Sequence, residues 1–171
     1  AGICPTTEAN LGDGIFDMTA WRSQGGRWGV GSDSHACVNA AEELMLLEYS
    51  QRLATRQRNV LARDSERDVA TAMTLDAVLG GAQASGRAIA GLALGQQADF
   101  MVLDAQHPLL RELPTPQAML SAHVFASHRR SAVGGVWVGG RLRVHAGSHP
   151  QAEETSRAFI AARSELLSSE P

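Results

Sequence analysis

The clearest helical pattern in the chain lies in its first third, where apolar residues recur at spacings of three and four positions. Asn39 is a typical N-cap residue, and Glu42, three positions later, is placed to complete a capping box. The pattern predicts a helix from there to about Arg56, with an apolar stripe that packs against a sheet. The stripe consists of Leu46, Tyr49 and Leu53.

Two further helices are predicted. One lies between the first helix and residue 86, and the other lies near the amino terminus. Residues 68–84 repeat the amphipathic spacing, and residues 18–27 form a short helix closed by Gly25 and Gly26. The apolar stripe of the longer helix consists of Val69, Ala72, Leu75 and Leu79. A last helix is expected from residue 151, where Ala and Glu are frequent, followed by a frayed SSEP tail.

Short apolar runs predict strands between these helices. Residues 27–31 are typical of a buried strand, as are residues 100–103. The segment VWVGGRLRV (136–144) predicts a hairpin, because Gly139 and Gly140 suit the positive φ angles of a two-residue turn. Near the amino terminus, a short apolar piece leads into a loop over residues 4–16, where Pro5, Gly12 and Gly14 are expected to interrupt regular structure.

The order of these elements indicates an α/β fold. Strand, loop and helix occur twice in succession before residue 86, which is typical of parallel βα units. In such units the active-site loops follow the carboxyl ends of the strands. The segment WGVGSDSH (28–35) occupies one of these ends. After residue 86 the helical repeat is expected to stop and β structure to take over.

Composition narrows the classes of partner. The chain is 44% hydrophobic and 19% charged, with a formal net charge of −3, and all its basic residues are Arg. Such a balance offers no broad positive field for a nucleic-acid backbone, and no apolar run approaches the length of a membrane span. Two cysteines, Cys4 and Cys37, are too few for a disulfide framework. We therefore expect no nucleic-acid or membrane partner and a cytoplasmic location.

Asp33 is the first candidate for chemistry, because it stands at the carboxyl end of a predicted buried strand. A carboxylate there can bind a metal ion and accept a proton, but an Asp after a strand also commonly caps a turn. The residues alone do not decide between the metal-binding and the turn-capping interpretation of Asp33. Asp33, Ser34 and His35 cannot form a hydrolase triad, because adjacent side chains in extended or turn backbone point apart.

Other polar residues near the two strand ends have ambiguous roles. Cys4 and His35 contain the groups of a thiol nucleophile and its base, yet a Cys at the start of a strand is more often a buried apolar residue. In the loop after Cys4, several residues suit either a polar substrate or turn backbone, namely Thr7, Glu8, Asn10 and Asp13. The remaining histidines are interpreted as surface or structural residues, namely His107, His123, His128, His145 and His149.

Three segments carry a resemblance to a known family. CPTTEANLGDGIF (4–16), residues 26–53 around WGVGSDSH, and GGAQASGRAIAGLALGQQADFMVLD (80–104) resemble the amidohydrolase superfamily, most closely its formimidoylglutamate deiminase family. The resemblance implies one zinc ion per active site, with Asp33 as metal ligand and proton shuttle. It further implies hydrolysis of N-formimino-L-glutamate to N-formyl-L-glutamate and ammonia, in histidine degradation. Thr7, Glu8, Asn10, Ser34 and His35 are then candidates for the substrate side or for supporting contacts.

The same resemblance implies that the chain is the C-terminal portion of a longer enzyme. Residues 1–86 would hold the last two βα units of a metal-dependent (β/α)8 barrel, residues 87–150 strands of a small β-sandwich, and residues 151–171 a C-terminal helix and tail. The chain contains no HxH motif, so the other zinc ligands and the substrate-binding arginines would lie upstream. The missing N-terminal part would be its partner, in an enzyme expected to form a homodimer.

Two alternatives remain open at this point. Another amidohydrolase deaminase, such as a guanine deaminase or a chlorohydrolase-like enzyme, would share the zinc chemistry but act on a ring substrate. A non-catalytic interaction domain would explain why the chain alone cannot complete a metal site. We expect the isolated chain to bind zinc weakly and to lack deiminase activity.

Overall fold

The structure is a computed structural model that describes residues 1–126 and 131–168. Its first elements are the strand β1 (Gly2–Ile3), the helices α1 (Pro5–Leu11) and α2 (Met18–Ser23), and the strand β2 (Gly29–Val30). The long helices α3 (Ala40–Thr55) and α4 (Val69–Ser85) follow. The second half contains β3 (Phe100–Leu103), α5 (Pro116–Ala126), β4 (Val133–Val138), β5 (Arg141–His145) and α6 (Ala152–Ser168).

The strands form two small sheets. β1 and β2 pair in parallel, with Gly2 opposite Gly29 and Ile3 opposite Val30, which confirms the parallel βα order. The other sheet is antiparallel, in the order β3-β4-β5, and the stacked rings of Phe100 and Trp137 support its first pairing. The chain is therefore a mixed α/β structure, as the sequence predicts.

One apolar core joins the first sheet to the helices around it. Ile3 and Trp28 from the strand region meet side chains of α2, α3, α4, α5 and the α3–α4 connection. The core residues are Ile3, Met18, Trp28, Leu44, Leu47, Leu61, Val69, Ala70, Met73 and Val124. Burial of these apolar side chains is the main contribution that holds the helices on the β1–β2 pair.

Several local predictions are confirmed. Asn39 caps α3 as predicted, by accepting a hydrogen bond from the Ala41 N–H. The helix predicted from residue 68 is also present, and Asp68 caps it by accepting from the Thr71 N–H. The turn between β4 and β5 has Gly139 and a second glycine at positive φ, as the hairpin pattern indicates. The C-terminal helix is also present, although none of its residues is buried by the described part of the chain.

The predicted loop over residues 4–16 is wrong, because residues 5–11 form α1. Pro5 occupies the first helical turn, where its missing N–H removes no intrahelical hydrogen bond, so it starts the helix rather than interrupting it. Gly12 ends the helix with a φ of 78°. The capping box of α3 is also absent, since Glu42 accepts a hydrogen bond from the Cys37 thiol instead.

The predicted buried faces of α3 and α4 are partly wrong. Leu53 is 79% exposed and Tyr49 lies at the surface, whereas α3 buries Leu44 and Leu47 with Glu48. In α4, Val69 and Ala72 are buried as predicted, but the other two residues of the expected stripe, Leu75 and Leu79, are exposed. The polar residues that replace the expected apolar ones have partners elsewhere in the chain, as described below.

α5 was not predicted, because the helical repeat was expected to end at residue 86. Its 11 residues include no Asp, Glu, Lys or Arg, so no polar face marks an amphipathic pattern. The helix packs on α3 and α4, and Phe125 stacks on Tyr49 with 5.7 Å between ring centroids.

His128 and most of the expected frayed tail lie outside the described residues. No described helix is both long and apolar enough to span a membrane.

Candidate active site

The parallel pairing of β1 and β2 brings two loops together at the carboxyl ends of the strands. The Gly29 N–H donates to the Ala1 carbonyl at 3.0 Å, and the Gly31 N–H donates to the Ile3 carbonyl at 3.1 Å. Cys4 follows β1 and Gly31 follows β2, so close together that a β-carbon on Gly31 would lie 3.7 Å from the Cys4 Sγ. The segments that contain the predicted site residues are therefore neighbours.

Glu8 closes the beginning of α1 through one of its carboxylate oxygens. The Cys4 N–H donates to the Glu8 Oε1 at 2.8 Å, while the Glu8 N–H donates to the Cys4 carbonyl at 2.9 Å. Such a reciprocal pair satisfies backbone groups that a helix start otherwise leaves unpaired. The sequence signal for this arrangement was Pro5 followed three positions later by a carboxylate, and it was missed because the segment was interpreted as a loop.

The two threonines after Pro5 point to different elements. The N–H of Thr6 donates to Glu43 Oε2 at 3.0 Å, and its hydroxyl donates to Glu43 Oε1, which joins α1 to α3. The hydroxyl of Thr7 donates to the Ser32 carbonyl at 2.6 Å and accepts from the His35 N–H at 3.1 Å. Thr7 is only 3% exposed, so it connects the two loops instead of facing solvent.

Asp33 lies at the exposed tip of the loop after β2. Its φ angle is 47°, in the left-handed region, and the turn that contains it is closed by the His35 N–H, which donates to the Ser32 carbonyl at 2.9 Å. Within residues 1–126 and 131–168, no hydrogen bond or ion pair engages its carboxylate. The turn-capping interpretation of Asp33 is therefore not supported, whereas its carboxylate is accessible to a ligand.

His35 is partly buried beside this turn, and Ser34 is exposed. The Cys37 N–H donates to the His35 Nδ1 at 3.1 Å. Because a backbone N–H can only donate, Nδ1 accepts, and a neutral His35 ring carries its proton on Nε2. Asn10 is exposed on α1, and no described residue holds its side chain. The structure thus groups Thr7, Asp33, Ser34 and His35, and leaves Asn10 apart.

The Cys4 thiol does not have the character of an activated nucleophile. Burial raises its pKa, and the negative charge of Asp33, followed by that of Glu8, raises the pKa further. A raised pKa keeps the thiol protonated, whereas nucleophilic cysteines need a lowered one. Nearby, a hydrogen bond to the Glu42 carboxylate raises the pKa of the Cys37 thiol in the same direction.

The part of the chain that the structure describes supplies no complete metal site. It contains no group of three or more His, Cys, Asp and Glu side chains that could hold a metal ion. His145 and His149 have a four-residue spacing, which the sequence prediction overlooked, but they lie at the end of β5 and in the following turn rather than on one helical face. Among the described residues, Asp33 is therefore not part of a complete set of metal ligands.

A cavity of about 650 Å³ lies at the opposite end of β2 from Asp33. Its polar lining includes Arg22 and Arg63, which both pair with the buried carboxylate of Asp76. Burial lowers the pKa of the Arg22 guanidinium, and the positive charge of Arg63 lowers it further. The three groups join α2, α4 and the α3–α4 connection. This cavity is therefore distinct from the Asp33 face.

Two parallel βα units followed by a small antiparallel sheet place the chain among mixed α/β proteins with chemically capable loops at the carboxyl ends of their strands. Residues 1–143 match the model of the amidohydrolase family. The chain belongs to this family, as its sequence resemblance indicates.

Two relatives match nearly the whole of this chain. The chain is 46% identical over 167 residues to a formimidoylglutamate deiminase from Pseudomonas aeruginosa, covering 98% of this chain and 36% of the relative. A crystal structure of an amidohydrolase from Brucella melitensis superposes with a TM-score of 0.87 at 43% identity, with the same 98% and 36% coverage. The chain thus spans about a third of the length of these relatives.

More distant structures share the fold. An adenosine deaminase from Xanthomonas campestris with bound zinc superposes with a TM-score of 0.73 at 17% identity, over 95% of this chain and 36% of that one. The guanine deaminase of E. coli superposes with a TM-score of 0.64 at 23% identity, over 82% of this chain and 32% of that one. At these identities the likeness concerns architecture and not substrate.

Proposed function

We propose that the intact protein containing this chain hydrolyses N-formimino-L-glutamate to N-formyl-L-glutamate and ammonia. The 46% identity to the Pseudomonas deiminase over nearly the whole chain carries this proposal. In the reaction, one water adds across the formimino C=N bond and the nitrogen leaves as ammonia. This hydrolysis needs no oxidant or reductant. We propose that the reaction belongs to histidine degradation and takes place in the cytoplasm.

Asp33 is the residue of this chain that we assign to the chemistry. Its carboxylate is exposed at the carboxyl end of β2 and is not engaged by other described residues, so it is available to accept a proton from the attacking water. The same carboxylate then delivers the proton to the departing nitrogen. Proton transfer by a positioned side chain of this kind contributes about 10² to 10⁴ in rate.

A zinc ion suits this chemistry, because a bound zinc activates water at neutral pH. Protein zinc sites take Cys, His, Asp or Glu ligands, usually four in all with water included. The Asp33 carboxylate fits one of these positions, but the described residues do not complete the set. We infer that the remaining ligands come from a part of the intact protein outside this chain.

The architecture of the intact protein follows from the same proposal. β1 and β2 would be the last two strands of a (β/α)8 barrel within residues 1–86. The β3-β4-β5 sheet, within residues 87–150, would be completed to a small β-sandwich by strands from the N-terminal part, and residues 151–171 would follow as a C-terminal extension. The N-terminal part is thus the first partner of this chain, and we propose that two intact proteins form a homodimer.

Ammonia release by the intact protein tests the proposed substrate. We expect turnover of N-formimino-L-glutamate and none of guanine, which has no paired carboxylates to bind. Preferential turnover of guanine or another heterocycle would instead support the ring-deaminase alternative. Inactivity on all of them, in protein that is folded and metal-loaded, would support the non-catalytic alternative.

The isolated 171-residue chain provides a second test. We expect it to bind less than one equivalent of zinc and to release no ammonia, because Asp33 alone cannot hold the ion tightly. The intact protein, measured by the same metal analysis and assay, is the control. Stoichiometric zinc together with turnover by the isolated chain would contradict the proposal that most ligands lie elsewhere.

A further inference from the structure

We propose that Thr7 is a positioning residue that holds the turn carrying Asp33. The inference rests on the proposed function of Asp33. The Thr7 hydroxyl donates to the Ser32 carbonyl and accepts from the His35 N–H, so one hydroxyl contacts the residue before Asp33 and the residue two positions after it. The His35 N–H also donates to the Ser32 carbonyl, so three hydrogen bonds link Thr7, Ser32 and His35 to one another.

The turn needs such support because its backbone is unfavourable. Asp33 has a φ of 47°, which side-chain-bearing residues rarely adopt, although Asp tolerates it better than most. Its carboxylate gains no hydrogen bond in return from the described residues. A residue held in a sparsely populated conformation persists only where its surroundings determine it, and Thr7 supplies that determination from another segment.

The hydroxyl of Thr7 has no hydrogen left to donate to a substrate. A threonine hydroxyl carries one donor hydrogen, and Thr7 uses it on the Ser32 carbonyl. Its side chain is 3% exposed, beneath the loop rather than at the surface. Of the two roles expected for Thr7, a substrate contact or a supporting contact, its burial and its hydrogen bonds favour the supporting one.

Thr7 can act as a support because α1 itself is fixed. The Cys4–Glu8 pair closes the start of the helix, and Thr6 anchors the same turn to the buried carboxylate of Glu43 on α3. Successive residues on a helix point about 100° apart, so adjacent threonines reach two different elements. Through Thr6 and Thr7, the Asp33 turn is connected to both α1 and α3.

Three variants of the intact protein test the inference. Thr7→Val keeps the shape of the buried side chain and removes both hydrogen bonds, and Thr7→Ser keeps the hydroxyl. Thr74→Val is the control, because it removes a hydroxyl that donates only to the Ala70 carbonyl within α4. We expect Thr7→Val to lower kcat about tenfold or more with KM changed less than about threefold. Thr7→Ser and Thr74→Val should keep kcat within about threefold, with the unfolding temperatures of all three variants recorded.

A readout independent of activity follows the turn itself. Amide hydrogen exchange of residues 32–38, measured without substrate, should be faster in Thr7→Val than in the unchanged protein and in Thr7→Ser. Equal exchange in Thr7→Val would overturn the inference, as would a loss of kcat in Thr74→Val as large as that in Thr7→Val.

The failure of this inference is distinguishable from failure of the proposed function. If Asp33→Asn abolishes turnover while Thr7→Val leaves kcat unchanged, Thr7 is not a positioning residue and the proposed function stands. If Asp33→Asn leaves turnover unchanged, the assignment of Asp33 fails. If the intact protein prefers another substrate, the same variants measured on that substrate decide the role of Thr7.

Discussion

Gly80 of α4 lies against the backbone carbonyl of Trp28, so closely that a β-carbon on Gly80 would overlap that carbonyl. Trp28 precedes β2 and is 2% exposed, which makes this contact the place where α4 approaches the parallel strands. Only a residue without a side chain allows the approach. The position of β2, and with it the loop that carries Asp33, therefore depends on a glycine in the middle of a helix.

Adjacent glycines in α4 offer a matched pair of substitutions. Gly80→Ala should destabilise the intact protein by about 1 to 3 kcal/mol, because α4 must move away from Trp28. Gly81→Ala meets no atom within 4 Å and should stabilise it by up to about 1 kcal/mol through higher helix propensity. Denaturant unfolding measures both. Equal effects of the two variants would contradict the close packing described here.

Asp33→Asn tests the carboxylate at the end of β2. We expect kcat to fall by about 10² or more, because the amide cannot accept and deliver a proton. Asp104→Asn is the matched control, since Asp104 also follows a strand and is exposed, but it follows β3 and accepts from the Gln106 N–H. Its activity should stay within about twofold. Retention of full activity by Asp33→Asn would refute the assigned role.

Glu48 is a fully buried carboxylate on α3 that organises the α3–α4 connection. It accepts hydrogen bonds from the Val60 N–H and the Leu61 N–H, each at 3.0 Å, and pairs with the Arg52 guanidinium at 2.7 Å. Glu48→Gln would turn an NH₂ group toward one of these donors, at a cost of about 2 to 4 kcal/mol in unfolding free energy. The control Glu154→Gln, on exposed α6, should change it by less than about 0.5 kcal/mol.

The cap of α4 predicts a pH dependence of stability. Burial acts to raise the pKa of Asp68, but hydrogen bonds from the Ser121 hydroxyl and the Thr71 N–H outweigh it, so the pKa is lowered overall. A lowered pKa in the folded state means that the charged form contributes stability above the unfolded pKa of about 3.9. This contribution is lost as the pH falls through the folded pKa.

Asp68→Asn isolates this contribution, because Asn also caps helices but carries no charge. The unfolding free energy of the intact protein should exceed that of the variant by about 1 kcal/mol at pH 7, and the difference should shrink below about pH 4. Urea unfolding at several pH values measures both. A difference that grows as the pH falls would contradict the sign of the shift.

The local order of elements was accessible from the sequence because its signals act over a few residues. Asn39 and Asp68 identify helix starts, since a capping side chain needs only the N–H groups two or three positions later. Gly139 and Gly140 identify a hairpin for the same reason. The prediction of a loop at Pro5 was wrong for a physical reason. Proline either starts or breaks a helix, and the neighbouring residues alone do not decide which of the two occurs.

The buried faces of the helices could not be predicted in the same way. Apolar spacing in α3 pointed to Leu53, but the helix buries Glu43 and Gln51 instead. Glu43 receives hydrogen bonds from Thr6, and Gln51 donates to the Phe16 carbonyl at 2.9 Å. These partners lie some 35 residues away in the chain, and the energy of burying a polar group depends on whether such a partner exists.

The same distinction between local and long-range signals applies to the candidate site. The sequence by itself determined that Asp33 follows a strand of a parallel βα unit, since hydropathy and element order suffice for that. Only the tertiary structure decided that its carboxylate is exposed and that Thr7, from α1, forms hydrogen bonds to its turn. The physical reason is that strand pairing brings residues about 25 positions apart into hydrogen-bonding distance, and no local pattern encodes which of them meet.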